Sequence, residues 1–371
     1  LFVLLWLFYL VIVSSILYNP LWGAVGAFFL LKAPLAFILG LYLINTRSIV
    51  IIITNIVITI AAISGLISIL GLFINFSPIY GALGYEFGRA GATGIFANPN
   101  KNAIFCVVAI SFIFLRNRRP SHYILISLLL ITIFVSASRQ AFFGLILFFT
   151  LLAITRFEKR RQNENKYGLA FVLIGILGVF AILVTDASGL MAERIYKDIN
   201  NLSPENNFRI YSALKSFEVL SDNPLFGLGA GTFGGAVANF SNSPFPDQYG
   251  LFDYWGGFGV GAITTDFFWG HYMAEAGLLG AGFYVVFLIL IVIRLIKMSQ
   301  YYPFADALLA MIPVLCIFAT FSLSLENNTI QTLYFAIIGG YVNVFRKDRT
   351  INTYPSDAKM EDLQHAYSHT F

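Results

Sequence analysis

Five residues in this chain stand where a charge or a mobile proton would be put to use: Lys32, Arg139, Arg209, His271 and Glu275. His271 and Glu275 are four apart, so on a helix they share one face. A carboxylate there can orient an imidazole and support its positive charge while it acts as a general base. The same pair suits a metal by residue type, yet no third ligand stands at a recognisable spacing. There is no D-x-D or H-E-x-x-H pattern either. The reading is therefore metal-independent, with no cofactor. No Ser–His–Asp or Cys–His arrangement can be read from spacing.

Arg209 lies in Pro204-Glu205-Asn206-Asn207-Phe208-Arg209-Ile210, ahead of Asp222-Asn223-Pro224. Asn206 or Asn207 is the expected cap of a helix and Asn223 before Pro224 its expected stop. Ile210, Leu214 and Phe217 give that helix an apolar face, with Ser212 and Ser216 on a more polar one. Arg209 then falls in the first turn, where the helix dipole opposes a cation. An anion nearby would resolve the conflict; a surface ion pair is the plainer alternative. Residues 229–234 match G-x-G-x-x-G, but no βαβ unit surrounds them, so a dinucleotide site is set aside. A glycine-rich turn that lets backbone approach another helix, or a phosphate, fits better. Lys32, beside Pro34 in an apolar stretch, is a functional residue by default; snorkelling, or a break between two re-entrant halves, is the alternative. Arg139, in the short turn Ser136-Ala137-Ser138-Arg139-Gln140, faces either the protein or the lipid headgroups.

The elements that must position these residues belong to a membrane. The 371 residues are 58% hydrophobic and only 11% charged, with mean hydropathy +0.78. Soluble proteins carry roughly 25% charged residues, so water cannot be what covers this surface. Cys106 and Cys316 sit inside apolar runs as small hydrophobes. A basic stripe interleaved with aromatics is missing, which excludes nucleic acid as a partner. The chain begins with Leu, so its N-terminus is read as incomplete or processed, and the first apolar run as a span rather than a cleaved signal.

A span needs about 20 apolar residues. Ten candidates follow: 1–18, 20–44, 49–75, 102–115, 122–137, 140–155, 167–185, 272–293, 304–324 and 329–345. If they alternate, fifteen of the 23 Lys and Arg residues fall on one side, which is then cytoplasmic. The expected fold class is all-α, a polytopic bundle of about ten spans. Its domains are 1–185 with an outer loop at 76–101, a large extracytoplasmic loop at 186–271, 272–345, and a polar cytoplasmic tail at 346–371. Both ends are placed in the cytoplasm.

Three segments in order carry a resemblance. Arg89-Ala90-Gly91-Ala92-Thr93-Gly94-Ile95-Phe96-Ala97-Asn98-Pro99-Asn100 resembles a "GtFgNPN" loop before a span. Phe208-Arg209 through Asp222-Asn223-Pro224-Leu225-Phe226-Gly227-Leu228-Gly229-Ala230-Gly231-Thr232-Phe233 resembles an "R…hPllGvGpGnF" run. Glu275-Ala276-Gly277-Leu278-Leu279-Gly280 resembles a "laE.GllG" helix start. These patterns are those of the O-antigen ligase and polymerase superfamily, and the resemblance covers about 76–293. It implies transfer of a glycan from a polyprenyl-diphosphate carrier to an acceptor hydroxyl, on the outer face of the bacterial inner membrane. The acceptor is a glycan or a lipid core, and the products are surface polysaccharides such as lipopolysaccharide or exopolysaccharide. In this reading Arg139 and Arg209 hold the diphosphate, with Lys32 and Arg89 as further cations; a flippase or a chain-length regulator is an expected partner. One departure matters. The ligases often place a histidine where this chain has Asp266, nine residues before Glu275, and His271 stands only four before it. Either His271 or Asp266 is then the base, and Asp266-Phe267-Phe268-Trp269 looks more like the polymerase side.

The rival from another class is a transporter of a small anion or of a lipid-linked oligosaccharide, with Lys32 and the arginines lining its path. Matching halves with broken helices, frequent in secondary transporters, are not evident in the sequence. A non-enzymatic envelope scaffold would leave Arg209, Asp266 and His271 free to change.

Overall fold

Asn19-Pro20 and Asn98-Pro99 show how this sequence starts a helix. Each asparagine side chain accepts from the next turn's amides, Leu21 (2.9 Å) and Trp22 (3.2 Å) in one case, Asn100 (2.8 Å) and Lys101 (3.2 Å) in the other. The proline after it has no N–H to leave unsatisfied. A computed structural model describes residues 2–74, 83–86, 89–96, 98–115, 120–136, 138–160, 208–234, 236–251, 268–302, 304–321 and 329–351. Its helices are α1 (Phe2–Leu17), α2 (Pro20–Leu30), α3 (Lys32–Leu43), α4 (Arg47–Ile74), α5 (Pro99–Ile113), α6 (Pro120–Val135) and α7 (Arg139–Arg160). They continue with α8 (Phe208–Asp222), α9 (Ala236–Phe240), α10 (Phe245–Gln248), α11 (Phe268–Ser299), α12 (Ala305–Phe321) and α13 (Thr329–Ile351).

Helical class is as expected, with one addition: an antiparallel hairpin, β1 (Leu83–Glu86) and β2 (Arg89–Ala92), inside the expected outer loop. Helices stand at nine of the ten expected spans, and the seventh, 167–185, lies outside the described residues. By length and composition, α4 over Arg47–Gly71 and α11 are able to cross a membrane. α2 and α3 reach that length only as a pair bent by 65°. Lys32 sits at this bend, which is the break the sequence left open.

The chain forms two compact units. The first comprises Leu1–Ala36, Ile182–Ile293 and Leu315–Thr332, the second Phe37–Ala181, Arg294–Val314 and Leu333–Phe371. In the second unit α5 is buried on all sides from Asn102 to Ile113, between α4, α6 and α7. A buried amide needs partners, and Asn102 finds them on three sides. Ser64 Oγ of α4 donates to its Oδ1 (2.7 Å); its Nδ2 donates to Ser68 Oγ (2.9 Å), the Ala92 carbonyl (3.2 Å) and Ser136 Oγ (3.3 Å). Ser136 Oγ also donates to Ala92 O (2.9 Å), and Ile95 N donates to Ser64 Oγ (3.1 Å). This node ties α4, the end of the hairpin, α5 and α6 together. Ser138, two residues on, opens α7 by accepting from Ala141 N (3.4 Å).

In the first unit α1 packs on α2 and on α11. Trp6 of α1 is fully buried against the rings of Tyr272, Phe283, Tyr284 and Phe287. A smaller apolar cluster of Val219, Leu228, Phe233, Tyr249, Leu251 and Ala274 joins α8 and the segments after it to α11.

Candidate functional site

Helix α11 is broken at Gly277, whose φ of 64° and ψ of −173° lie where only glycine sits without strain. A break inside a helix exposes carbonyls on one side and amides on the other, and in a water-poor setting each must be matched. The glycine-rich run after α8 matches them. Leu228 N donates to Ala274 O (2.9 Å) and Gly229 N to Glu275 O (3.0 Å). Beyond the break Leu278 N donates to Pro224 O (2.9 Å) and Leu279 N to Leu225 O (3.2 Å). Tyr9 of α1 donates its hydroxyl to Ala276 O (2.9 Å). The loop splints the broken helix.

So close an approach explains the glycines. A Cβ on Gly227 would stand 2.6 Å from the carbonyl oxygens of both Ala274 and Glu275, and one on Gly277 would strike Leu225 O. Gly26 of α2 leaves room in the same way for the backbone of Ala230 and Gly231.

Glu275 closes the arrangement. Its side chain is 1% exposed; Oε2 accepts from Gly231 N (2.6 Å) and Oε1 from Phe233 N (2.8 Å). Ser14 Oγ accepts from Ala230 N (2.6 Å) between them. The amides of Leu228 to Gly231 and of Phe233 are therefore all engaged within the fold, and Gly227 N donates to Asn223 O. Of the two readings left open for this run, helix approach is the one observed, because those amides have no room left for a phosphate. Ser14 and Gly26 carried no signal in the sequence, since a serine and a glycine in apolar helices are ordinary.

His271 Nδ1 lies 3.5 Å from Glu275 Oε1, and the imidazole is 1% exposed. The i, i+4 pair read from the sequence is thus brought together, on the short helical piece before the break. Glu275 has two jobs within reach, holding the loop and supporting the imidazole, and the two amide bonds are the shorter contacts.

The other predicted residues are placed as follows. Arg209 is the second described residue of α8 and lies in the same unit as His271, Glu275 and Lys32. Helix α8 ends at Asp222, at the expected stop; Asn206 and Asn207 lie outside the described residues, as does Asp266. Arg139 is the first residue of α7 and Arg89 the first of β2, both in the second unit. Lys32 Nζ stands 4.2 Å from the centroid of the Phe29 ring, a cation–π contact within α2–α3. Among the described residues no three His, Cys, Asp or Glu side chains gather as a metal site.

Helix α8 reverses the usual disposition of its faces. Ser212 and Ser216 are buried at 0% and 2%, whereas Leu214 and Phe217 are about half exposed, at 51% and 50%. Small serines let the helix approach its neighbours closely, and Ser216 Oγ is satisfied by donating to Ser212 O. Tyr249 fixes the far end by donating to Asp222 Oδ2 (3.1 Å). Burial, and then Asp222 itself, pushes the Tyr249 phenol above its ordinary value near 10.

Two helices long and apolar enough to cross a membrane, with a bent pair that together reaches that length, are the features of a helical membrane protein. Residues 123–285 match a family model described as O-antigen ligase. This stretch contains α8, the glycine-rich loop, His271, Glu275 and the break. The match, over 163 of the 371 residues, agrees with the resemblance to the O-antigen ligase/polymerase superfamily. A comparison with curated proteins finds no match.

Proposed function

We propose that this protein transfers a glycan from a polyprenyl-diphosphate carrier to the hydroxyl of an acceptor sugar on the outer face of a bacterial inner membrane. Polymerisation of repeat units is favoured over ligation to a lipid core. The observation that carries the reading is the buried His271–Glu275 pair at the Gly277 break, within the matched stretch and splinted by the loop that follows Arg209's helix.

The acceptor oxygen attacks the anomeric carbon, the bond from that carbon to the diphosphate oxygen breaks, and the carrier leaves with the electron pair. The acceptor's hydroxyl proton passes to the base, His271 or Asp266. The leaving group's charge needs a cation, and a guanidinium meets a phosphate through two parallel bonds with no metal. Arg209 and Arg139 are assigned this role, with Lys32 and Arg89 adding positive charge. The Asp266-Phe267-Phe268-Trp269 start supports the polymerase side. A flippase that delivers the donor and a regulator of chain length are the expected partners.

Arg209→Ala abolishes transfer at unchanged protein level in this account, and Arg209→Lys rescues poorly, because an ammonium lacks the fork. Deleting the gene and sizing the surface glycans separates the two chemistries. Single repeat units on the final acceptor mean polymerase; full-length chains left on the carrier mean ligase. An unchanged ladder counts against both. The 65° bend at Lys32 favours a second reading, transport of a lipid-linked oligosaccharide or small anion, since helices broken at a charge line many transport paths.

A further inference from the structure

Helix α8 has three flanks when its residues are set at 3.6 per turn. Val219, Ser212 and Ser216 form the buried seam. On one side of it lie Tyr211, Lys215, Glu218 and Asp222, with Lys215 Nζ 2.8 Å from Glu218 Oε2. On the other lie Ile210, Leu214, Phe217 and Leu220, of which Leu214 and Phe217 are about half exposed. A helix with protein beneath it and water all around would bury that apolar flank and turn the serines outward. Here Leu214 and Phe217 on the apolar flank and Glu218 on the charged flank are all about half exposed.

The apolar flank leads into a larger surface. The turn directly after α8 exposes Leu225 (53%) and Phe226 (47%). Leu225 O accepts from Leu279 N, and the Phe226 ring lies 6.3 Å from that of Tyr9. Leu278 and Leu279 are exposed in turn, and they begin the outward stripe of α11 that continues through Val285, Val286, Ile289 and Leu290. That stripe belongs to a helix long and apolar enough to cross a membrane.

We propose that α8 is an interfacial helix: its Ile210–Leu214–Phe217 flank rests among the acyl chains of the outer leaflet and its Lys215–Glu218 flank faces water. Lipid is the occupant because the exposed apolar residues run on to Leu225 and Phe226, because Leu225 O is bonded to Leu279 N of a helix able to span a membrane, and because the flank is bordered by a charged edge of its own helix. The placement rests on this surface and stands whether or not the protein transfers a glycan.

The test attaches an environment-sensitive fluorophore to single cysteines in a Cys106→Ala, Cys316→Ala background, with the full chain in phosphatidylcholine–phosphatidylglycerol vesicles. At Leu214→Cys and Phe217→Cys the emission shifts to the blue, is lost with doxyl-labelled lipid and is shielded from aqueous iodide. At Lys215→Cys and Glu218→Cys iodide quenches and doxyl lipid does not. Ser221→Cys, at a position that falls between Ile210 and Leu214 around the helix, against Asp222→Cys repeats the comparison at the helix end without replacing an apolar residue. Iodide quenching at 214 and 217 equal to that at 218 overturns the proposal. A blue shift there that doxyl lipid leaves unquenched also overturns it, because protein rather than lipid would then cover the flank. Neither outcome depends on turnover, so a failure of the transferase reading is detected separately.

Discussion

Replacing Glu275 by glutamine keeps the side chain's shape and removes one of its two acceptors. The carboxylate holds Gly231 N at 2.6 Å and Phe233 N at 2.8 Å, both buried. Glutamine offers one carbonyl oxygen, so one of these amides comes to face an NH2 group and loses its partner. Hydrogen bonds to a charged group contribute about 1.5–3 kcal/mol each, and a stranded buried donor costs about 1–3 kcal/mol. The loop's local opening is therefore easier by about 2–3 kcal/mol, which is roughly 30- to 150-fold in an equilibrium. Amide hydrogen exchange by mass spectrometry on the peptide spanning 227–234 reads this directly, in detergent or nanodiscs and without substrate. The expected result is faster exchange by that factor over 229–233, with α4 and α5 unchanged. Protection equal to wild type would refute the clasp and return Glu275 to a role confined to His271.

Other outcomes follow from the same contacts. Gly277→Ala puts a Cβ against Leu225 O in a conformation reserved for glycine, and it is expected to destabilise the first unit by about 3 kcal/mol, seen as a lower midpoint of thermal unfolding in detergent. Asn102→Leu removes the partner of Ser64 Oγ and a donor to Ser68 Oγ; about 2 kcal/mol is lost, and protease access around the hairpin rises. Tyr249→Phe loses the bond to Asp222 and about 1 kcal/mol. Because the folded state raises the Tyr249 pKa, the stabilisation this group gives is complete below pH 10 and is lost as pH climbs through the raised value. Wild type should therefore weaken more steeply than Tyr249→Phe above pH 10, as measured by alkaline unfolding.

Much of this organisation was legible in the residues. Apolar runs located the helices, and the four-residue spacing of His271 and Glu275 forecast their meeting. The Gly277 break was not legible, because a glycine in an apolar run reads as uninterrupted span until the groups that satisfy its freed backbone are known. Those groups lie some fifty residues earlier, at Pro224 to Gly229. Likewise the pattern of α8 gave two faces but not which one turns inward; the rule that apolar residues go in presumes water outside. Asn102 stood two residues beyond a recognised motif, and only the packing of α4, α5 and α6 shows why an amide belongs there.

The central claim is a transfer from a lipid-linked donor, and the most direct measurement uses purified protein in liposomes loaded with a polyprenyl-diphosphate-linked oligosaccharide. Wild type should release free polyprenyl diphosphate together with an elongated or acceptor-linked glycan, and Arg209→Ala should release neither while remaining folded. A protein that leaves the donor intact, or only moves it from one leaflet to the other, would contradict the account.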